Sequence, residues 1–274
     1  MTTPPPESPP AAEAAAPASW IRLAVVGLVG GLLSGLFGVG GGIVMVPLLI
    51  MLARMDQKRA SATSLVAIVP TAIAGSITYF ANGEVDVLAA AIVATGGIVG
   101  AWIGARLLRR ISMEWLRWGF IALLVLVAIR LIVVAPERGA GSVDWNVGTA
   151  LGLVALGLVM GVASGLFGIG GGLIMVPSFI AIFGMGDLIA KGTSLAAMIP
   201  TAVSGTITNV RGGMVDVRAG LIVGIAATVA SFGGVWLAFF LPADVAAWLF
   251  AGLLVLAAVQ LAVRAVRARR AGSA

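Results

Sequence analysis

Residues 34–47 read Ser-Gly-Leu-Phe-Gly-Val-Gly-Gly-Gly-Ile-Val-Met-Val-Pro, and residues 164–177 read Ser-Gly-Leu-Phe-Gly-Ile-Gly-Gly-Gly-Leu-Ile-Met-Val-Pro. Eleven of the fourteen positions are identical at a constant offset of 130, and the three differences exchange one aliphatic residue for another. Hydrophobic sequence flanks both runs. A glycine cluster in that setting interrupts a helix, because each Gly costs about 1 kcal/mol relative to Ala in a helix interior. It also lets backbone approach backbone, or a ligand, with no Cβ in between. A single run is explained about as well by close helix packing through small residues as by a binding site. Two runs call for a reading of the whole chain.

The chain of 274 residues is 60% hydrophobic and 10% charged, with a mean hydropathy of +1.12. A soluble domain carries about 25% charged residues. Apolar stretches of about 20 residues recur, long enough to span a bilayer as helix. The alternating pattern of membrane β-barrels is absent. The fold class is therefore an all-α polytopic membrane protein. The sequence has no Cys and no His, which removes disulfides, thiol chemistry, the usual zinc ligands and a Ser-His-Asp triad. No enzymatic activity, cofactor or metal is expected. The net charge of +6 rests on arginines beside hydrophobic segments, where basic residues set topology; it is not a nucleic-acid signal.

In chain order, residues 1–19 form a Pro- and Ala-rich tail with Glu7 and Glu13. No basic residue precedes an apolar core there, so it reads as a disordered cytoplasmic tail and not as a signal peptide. A first membrane repeat, 20–135, holds five apolar segments at roughly 20–37, 40–53, 61–80, 86–108 and 113–135. A polar linker spans 136–146. A second repeat, 147–265, holds segments at about 147–167, 170–184, 190–209, 217–240 and 244–264. A basic tail, 266–274, ends the chain. The repeat extends beyond the glycine run: Thr63-Ser64-Leu65 returns as Thr193-Ser194-Leu195, Pro70-Thr71-Ala72 as Pro200-Thr201-Ala202, and Leu123-Leu124-Val125-Leu126 as Leu253-Leu254-Val255-Leu256. The fourth segment alone appears displaced, since Gly100-x-Trp102 aligns best with Gly234-x-Trp236, implying a small compensated insertion.

Charge indicates how the repeats are oriented. Arg106, Arg109, Arg110 and Arg117 surround the loop after the fourth segment of the first repeat, whereas Leu241-Pro242-Ala243-Asp244 has no base. The turn before that segment has Glu84 and Asp86 in the first repeat but Arg211 and Arg218 in the second. Arg54, Lys58 and Arg59 make a basic loop whose counterpart has only Asp187 and Lys191. Positive charge stays cytoplasmic, so corresponding loops lie on opposite faces. Two inverted repeats of about five segments result, with both termini inside and the helices broken at the Gly-rich motifs, a transporter plan. No polar loop separates the first two segments. A continuous helix of about 34 residues would be about 51 Å long against a hydrocarbon core of about 30 Å, so the chain turns at Gly38–Gly42, either near the outer surface or inside the membrane.

Backbone groups freed at such a turn are tolerated only against protein or a polar cavity. The N–H groups of Gly40, Gly41 and Gly42, with Gly38 in the turn, would point out of a helix N-terminus, as would those of Gly170, Gly171 and Gly172 with Gly168. That end carries about +0.5 charge and favours an anion. The run is no dinucleotide fingerprint, since Ile43 and Leu173 stand at the third-Gly position. Pro70 and Pro200 are expected to break their segments, pushing Val69 and Ile199 from helical geometry. Hydroxyls flank each break: Thr63, Ser64, Thr71, Ser76 and Thr78, then Thr193, Ser194, Thr201, Thr206 and Thr208, with Asn209 beyond. They either donate to an anion or bond back to their own helix. Arg130, in an apolar run, either snorkels or attracts anions in an external vestibule. Asp86 and Asp216 read as helix N-caps, and the Trp residues near segment ends as interfacial anchors.

The doubled Gly-Leu-Phe-Gly-x-Gly-Gly-Gly-x-x-x-Val-Pro, each copy followed by a Thr-Ser-Leu…Pro-Thr block, resembles the TauE/SafE sulfite exporter family of bacterial membrane transporters, over about residues 20–265. The resemblance implies a plasma-membrane permease for small sulfur-containing anions such as sulfite, sulfoacetate, other organosulfonates or thiosulfate. Its expected partners are the anion and the bilayer, with a homodimer left open. The expected mechanism is alternating access by rocking of the two halves, and Val at Gly41 and Gly171 is expected to abolish flux in a protein that still folds. An anion channel, a permease for another small organic anion, an intramembrane enzyme (poorly supported without His, Cys or a buried acidic residue) or a sensor that binds without flux, and a cation permease using backbone carbonyls are the rival readings.

Overall fold

A computed structural model of the chain describes residues 19–133 and 143–272. Ten helices follow in order: α1 Trp20–Phe37, α2 Gly42–Leu52, α3 Gln57–Ala81, α4 Val87–Arg110, α5 Met113–Val133, α6 Val147–Phe167, α7 Gly172–Ala181, α8 Asp187–Arg211, α9 Val217–Phe240 and α10 Ala243–Gly272. The architecture is that of an all-α polytopic membrane protein. Six helices (α1, α3, α4, α6, α9 and the Ala243–Val263 part of α10) are long and apolar enough to cross a bilayer, while α2 and α7 are short. The N-terminal tail before Ser19 and most of the linker lie outside the described residues. α10 runs on to Gly272, past the expected end of the second repeat.

Three expectations need correction. First, the fourth segments carry no insertion. α4 and α9 are both 24 residues long and start 130 residues apart. A Cβ at Gly104 would overlap the Val162 carbonyl, and one at Gly234 the Leu32 carbonyl, so Gly104 and not Gly100 is the counterpart of Gly234. The Trp match misled because aromatic residues at the lipid surface are free to drift, whereas a glycine at a backbone contact is not. Second, Pro70 and Pro200 break nothing: α3 and α8 run through them. Proline is tolerated in membrane helices where neighbours re-satisfy the freed carbonyls. Third, Asp187 and Lys191 are not in a loop. They form the first turns of α8 and are 3% exposed each.

The halves interlock. α1 packs along α9, and α4 along α6. The seams are built on glycines four residues apart, which leave no side chain between the backbones. A Cβ at Gly27, Gly31 or Gly35 would overlap the carbonyl of Val223, Ala227 or Ser231. A Cβ at Gly157, Gly161 or Gly165 would overlap that of Val93, Gly97 or Ala101. Every contact of the first seam recurs in the second at the offset of 130, and both seams run parallel. Close approach of this kind supplies the van der Waals contact that holds helices together where burial from water provides no force. Stacked rings repeat the relation, Phe37 on Phe250 at 4.6 Å and Phe167 on Phe120 at 5.5 Å.

α3 and α8 run antiparallel through the centre. Gly75 faces Leu195, and its counterpart Gly205 faces Leu65. The main-chain N–H of Asp86 donates to Thr193 Oγ1 at 2.9 Å, and that of Asp216 to Thr63 Oγ1 at 3.0 Å. The packing units therefore differ from the sequence repeats. α4 and α6–α8 make one bundle; α1–α3 with α9 make the other. They meet along α3 and α8, while α5 and α10 pack chiefly on each other. One end of the molecule gathers the basic loops, with Arg59 3.2 Å from Asp216 and Arg109 laid over Gly212.

Gly161→Ala is expected to lower stability by about 1–3 kcal/mol through overpacking of a tight seam, read as a lower melting temperature in detergent. Gly252→Ala, inside α10 and with nothing within 4 Å of the new Cβ, should raise stability by up to about 1 kcal/mol; a loss of stability equal to that of Gly161→Ala would refute the seam.

Candidate functional site

Each glycine run ends one helix and begins another. Gly38 caps α1 in the left-handed region (φ 70°), and Gly40 and Gly41 follow at 78° and 71°. Gly168, Gly170 and Gly171 take 70°, 77° and 93°. Side chains rarely adopt these angles, which is why glycine stands there. The Gly38 N–H closes α1 by donating to Ser34 O at 2.8 Å, and Gly168 closes α6 on Ser164 O at 2.8 Å.

The two turns lie inside the protein and against each other. Gly38 to Gly42 are all buried, as are Gly168 and Gly170 to Gly172. A Cβ at Gly42 would overlap the Gly168 carbonyl, and one at Gly172 would meet Val39 Cα at 2.5 Å. Gly40 and Gly170 share the same two neighbours, Ile68 and Met198, themselves equivalent positions. Gly41 and Gly171 fold back onto Gly30 and Met160. Val at either position meets both a clash and a forbidden backbone angle, so such a variant does not test transport in a protein that still folds.

The hydroxyl blocks clamp this centre. Ser64 Oγ donates to Gly168 O at 2.6 Å, and Ser194 Oγ donates to Gly38 O across the interface. Thr63 and Thr193 receive the N–H groups that open α9 and α4. Thr71 and Thr201 bond back to Ala67 O and Ala197 O at 2.7 and 2.8 Å. In this conformation the protons of Ser64, Ser194, Thr71 and Thr201 are thus held by carbonyls. Asp86 and Asp216 are N-caps, accepting from Ala89 and Ala219. Asn209 is fully buried, and neither Oδ1 nor Nδ2 of its side chain has a partner among the described residues. Its counterpart Tyr79 spans to Gly35 O at 2.9 Å. Arg130 sits half-buried on the last turn of α5 and is not among the nearest neighbours of either glycine run.

Several groups at the centre lack a partner. The N–H groups of Gly40, Gly41, Gly42, Gly170, Gly171 and Gly172 find no acceptor among the described residues. Neither do the buried hydroxyls of Ser34 and Ser164 find a partner. These serines stand one helical turn after Gly30 and Met160, on the faces that the glycine turns fold back upon. Ser61, against Gly168, is a third. Ser34 and Ser164 have no role legible in the motif alone, although their duplication as its first residue is the available signal. Nor is the ion pair Lys191–Asp187 legible there, 2.7 Å between Nζ and Oδ2, each side chain 4% exposed. The Lys191 stem packs on Gly38. The equivalents, Ser61 and Gln57, are uncharged, so the pair makes one turn electrostatically unlike the other. A crevice of about 20 Å³, lined by Phe37, Ile180 and Phe250 among others, reaches it; that is room for about one water. Glu84, in the loop before α4, is pushed above the ordinary carboxylate range by its burial and then by the Asp187 carboxylate.

Comparison with known proteins follows the same lines. Residues 2–131 and 153–273 match the family model described as Sulfite exporter TauE/SafE. The chain is 27% identical over 221 residues to "Probable membrane transporter protein YunE" of Bacillus subtilis (strain 168), covering 72% of this chain and 81% of that one. It is 27% identical over 190 residues to "Probable membrane transporter protein YdhB" of the same organism, covering 68% and 77%. It is 32% identical over 194 residues to a "Probable membrane transporter protein" of Xylella fastidiosa (strain 9a5c), covering 69% and 73%.

Lys191→Ser alone strands the buried Asp187 carboxylate and should cost about 3–5 kcal/mol. Adding Asp187→Gln installs the residue types of the other half and should recover most of the loss; a double variant as unstable as the single would refute the equivalence. Glu84 binds its proton more tightly folded than unfolded. Its effect on stability is therefore absent below the unfolded pKa, near 4.5, and becomes destabilising as pH rises through the folded value. Glu84→Gln should raise the melting temperature at neutral pH, and the gain should vanish at about pH 4.

Proposed function

The chain belongs to the Sulfite exporter TauE/SafE family, and from that premise we propose that it carries small sulfur-containing anions across the bacterial plasma membrane by alternating access around the paired glycine turns. The family and its relatives make it a multi-pass membrane transporter. The sulfur-anion substrate rests on the family's description together with the site's chemistry. The observation that carries the reading is the meeting of two helix N-terminal turns whose N–H groups, with the Ser34 and Ser164 hydroxyls, have no partner among the described residues. Each such end favours an anion, and uncharged donors hold it without the trap of a fixed charge. Lys191, beside Gly38, adds positive potential that Asp187 offsets.

Orientation follows from the basic end, which the positive-inside rule places in the cytoplasm. Trp20, at the start of α1, then lies on that side, because α1 runs parallel to α9 and Val217 opens α9 at the basic end. Antiparallel α3 and α8 fit repeats inverted across the membrane. The rocking bodies of this mechanism are the two bundles, α4 with α6–α8 against α1–α3 with α9, since helices joined through glycine seams do not separate. The turns lie on the contact between these bundles, so a small relative rotation opens the centre to one side or the other.

Protein reconstituted in liposomes should move sulfite, sulfoacetate or thiosulfate with saturation, and sulfate or acetate poorly. Ser34→Ala and Ser164→Ala remove no hydrogen bond, so each should leave the melting temperature unchanged or raised. Each should still slow flux about tenfold, as expected for one lost hydrogen bond to an anion. Unchanged flux would sink the site, and flux without saturation would favour a channel.

A further inference from the structure

Away from the glycine turns, a groove of about 660 Å³ lies between the C-terminal halves of α4 and α8. Its floor is tied by Ser204 Oγ donating to Ile98 O at 2.9 Å. Its walls are Ile98, Trp102, Val203 and Ile207, each between 36% and 46% exposed. At one end stand Arg106, Arg109 and Arg211. Arg106 rests on the Trp102 ring, 3.6 Å from its centroid. The ion pairs of the described residues are Arg59–Asp216 and Lys191–Asp187, so none of these three arginines has a carboxylate within 4 Å. Three like charges at one end of a groove repel one another, and the carbonyl ends of α4 and α8 offset only part of that.

The pseudo-symmetry supplies a control inside the same molecule. At the offset of 130, Trp102, Arg106 and Arg109 become Phe232, Trp236 and Phe239, and Arg211 answers Ala81. The equivalent crossing of α3 and α9 is therefore built without a base. The helix packing does not require the arginines: the positive-inside rule accounts for the side on which they stand, and what remains to be accounted for is their convergence, without a carboxylate partner, on one end of an apolar groove.

We propose that this groove binds the headgroup of an anionic phospholipid, with its phosphate among Arg106, Arg109 and Arg211 and an acyl chain along Ile98, Trp102, Val203 and Ile207. The lipid is preferred to a free anion because the groove opens sideways, on exposed apolar faces of two helices of a multi-pass membrane protein. A soluble oxyanion gains nothing from four apolar walls. The groove also lies at the basic end, and basic pockets between membrane helices on the cytoplasmic side suit anionic headgroups. The assignment stands independently of the transported substrate.

Native mass spectrometry of the full chain in detergent tests it, with phosphatidylglycerol and phosphatidylcholine of identical acyl chains. Phosphatidylglycerol should be retained about a hundredfold better, the preference expected of three basic residues. The variant Arg106→Trp, Arg109→Phe, Arg211→Ala installs the residues of the equivalent groove, so it should elute and melt as a folded protein and lose the preference. Arg54→Ala with Lys58→Ala, at the same end but outside the groove, should keep it. Equal retention of the two lipids, or an unchanged preference in the triple variant, overturns the proposal. Displacement of phosphatidylglycerol by millimolar sulfite or phosphate also overturns it, in favour of an ion vestibule.

Discussion

Backbone polar groups have no water to turn to in the interior of a membrane protein, and each one left bare costs several kcal/mol. Two short helices, α2 and α7, begin inside this protein, and each beginning exposes N–H groups while each preceding helix end exposes carbonyls. The carbonyls are dealt with across the interface, Ser64 reaching Gly168 O and Ser194 reaching Gly38 O. The N–H groups are not. The rest of the structure depends on this imbalance. Each turn is completed only by the other half, so neither repeat is a finished unit.

Small residues make that dependence possible. Side chains on Gly31 or Gly161 would hold the parallel helices apart, and the turns would no longer touch. The same seams decide what moves together. In the proposed mechanism, helices joined backbone to backbone move as one body, so the sequence repeat and the mechanical unit part company. The contact between the bundles runs through α3 and α8, which carry the hydroxyls that grip the turns. A change in the angle between these two helices is thereby coupled to the centre.

On this symmetric frame the charges are placed asymmetrically. Lys191 and Asp187 stand where the other half has Ser61 and Gln57, and three arginines stand where it has aromatic rings and Ala81. A duplicated fold meets two different environments at its two ends. The residues that pack are constrained to stay alike, while those facing outward or flanking a ligand are free to differ. Departures from the repeat are therefore the places where chemistry is concentrated, and Glu84 beside Asp187 adds a group sensitive to pH at the less basic end.

Periodic hydropathy and the repeat place ten segments within a few residues, save the end of α10, which runs on to Gly272, because a bilayer dictates the length and composition of what crosses it. The N-caps at Asp86 and Asp216 were equally legible, since capping is decided within one turn. The glycine runs marked the centre, and their repetition told that it was shared. The sequence did not reveal that α3 and α8 continue through their prolines, nor that α4 and α9 are in strict register. It did not reveal that Lys191 is buried or that Ser34 and Ser164 lack partners. Each of those depends on which backbone lies against which, across separations of a hundred residues or more. Local chemistry determines where this chain turns; only the meeting of the two halves determines which groups at those turns are paired and which are left free among the described residues.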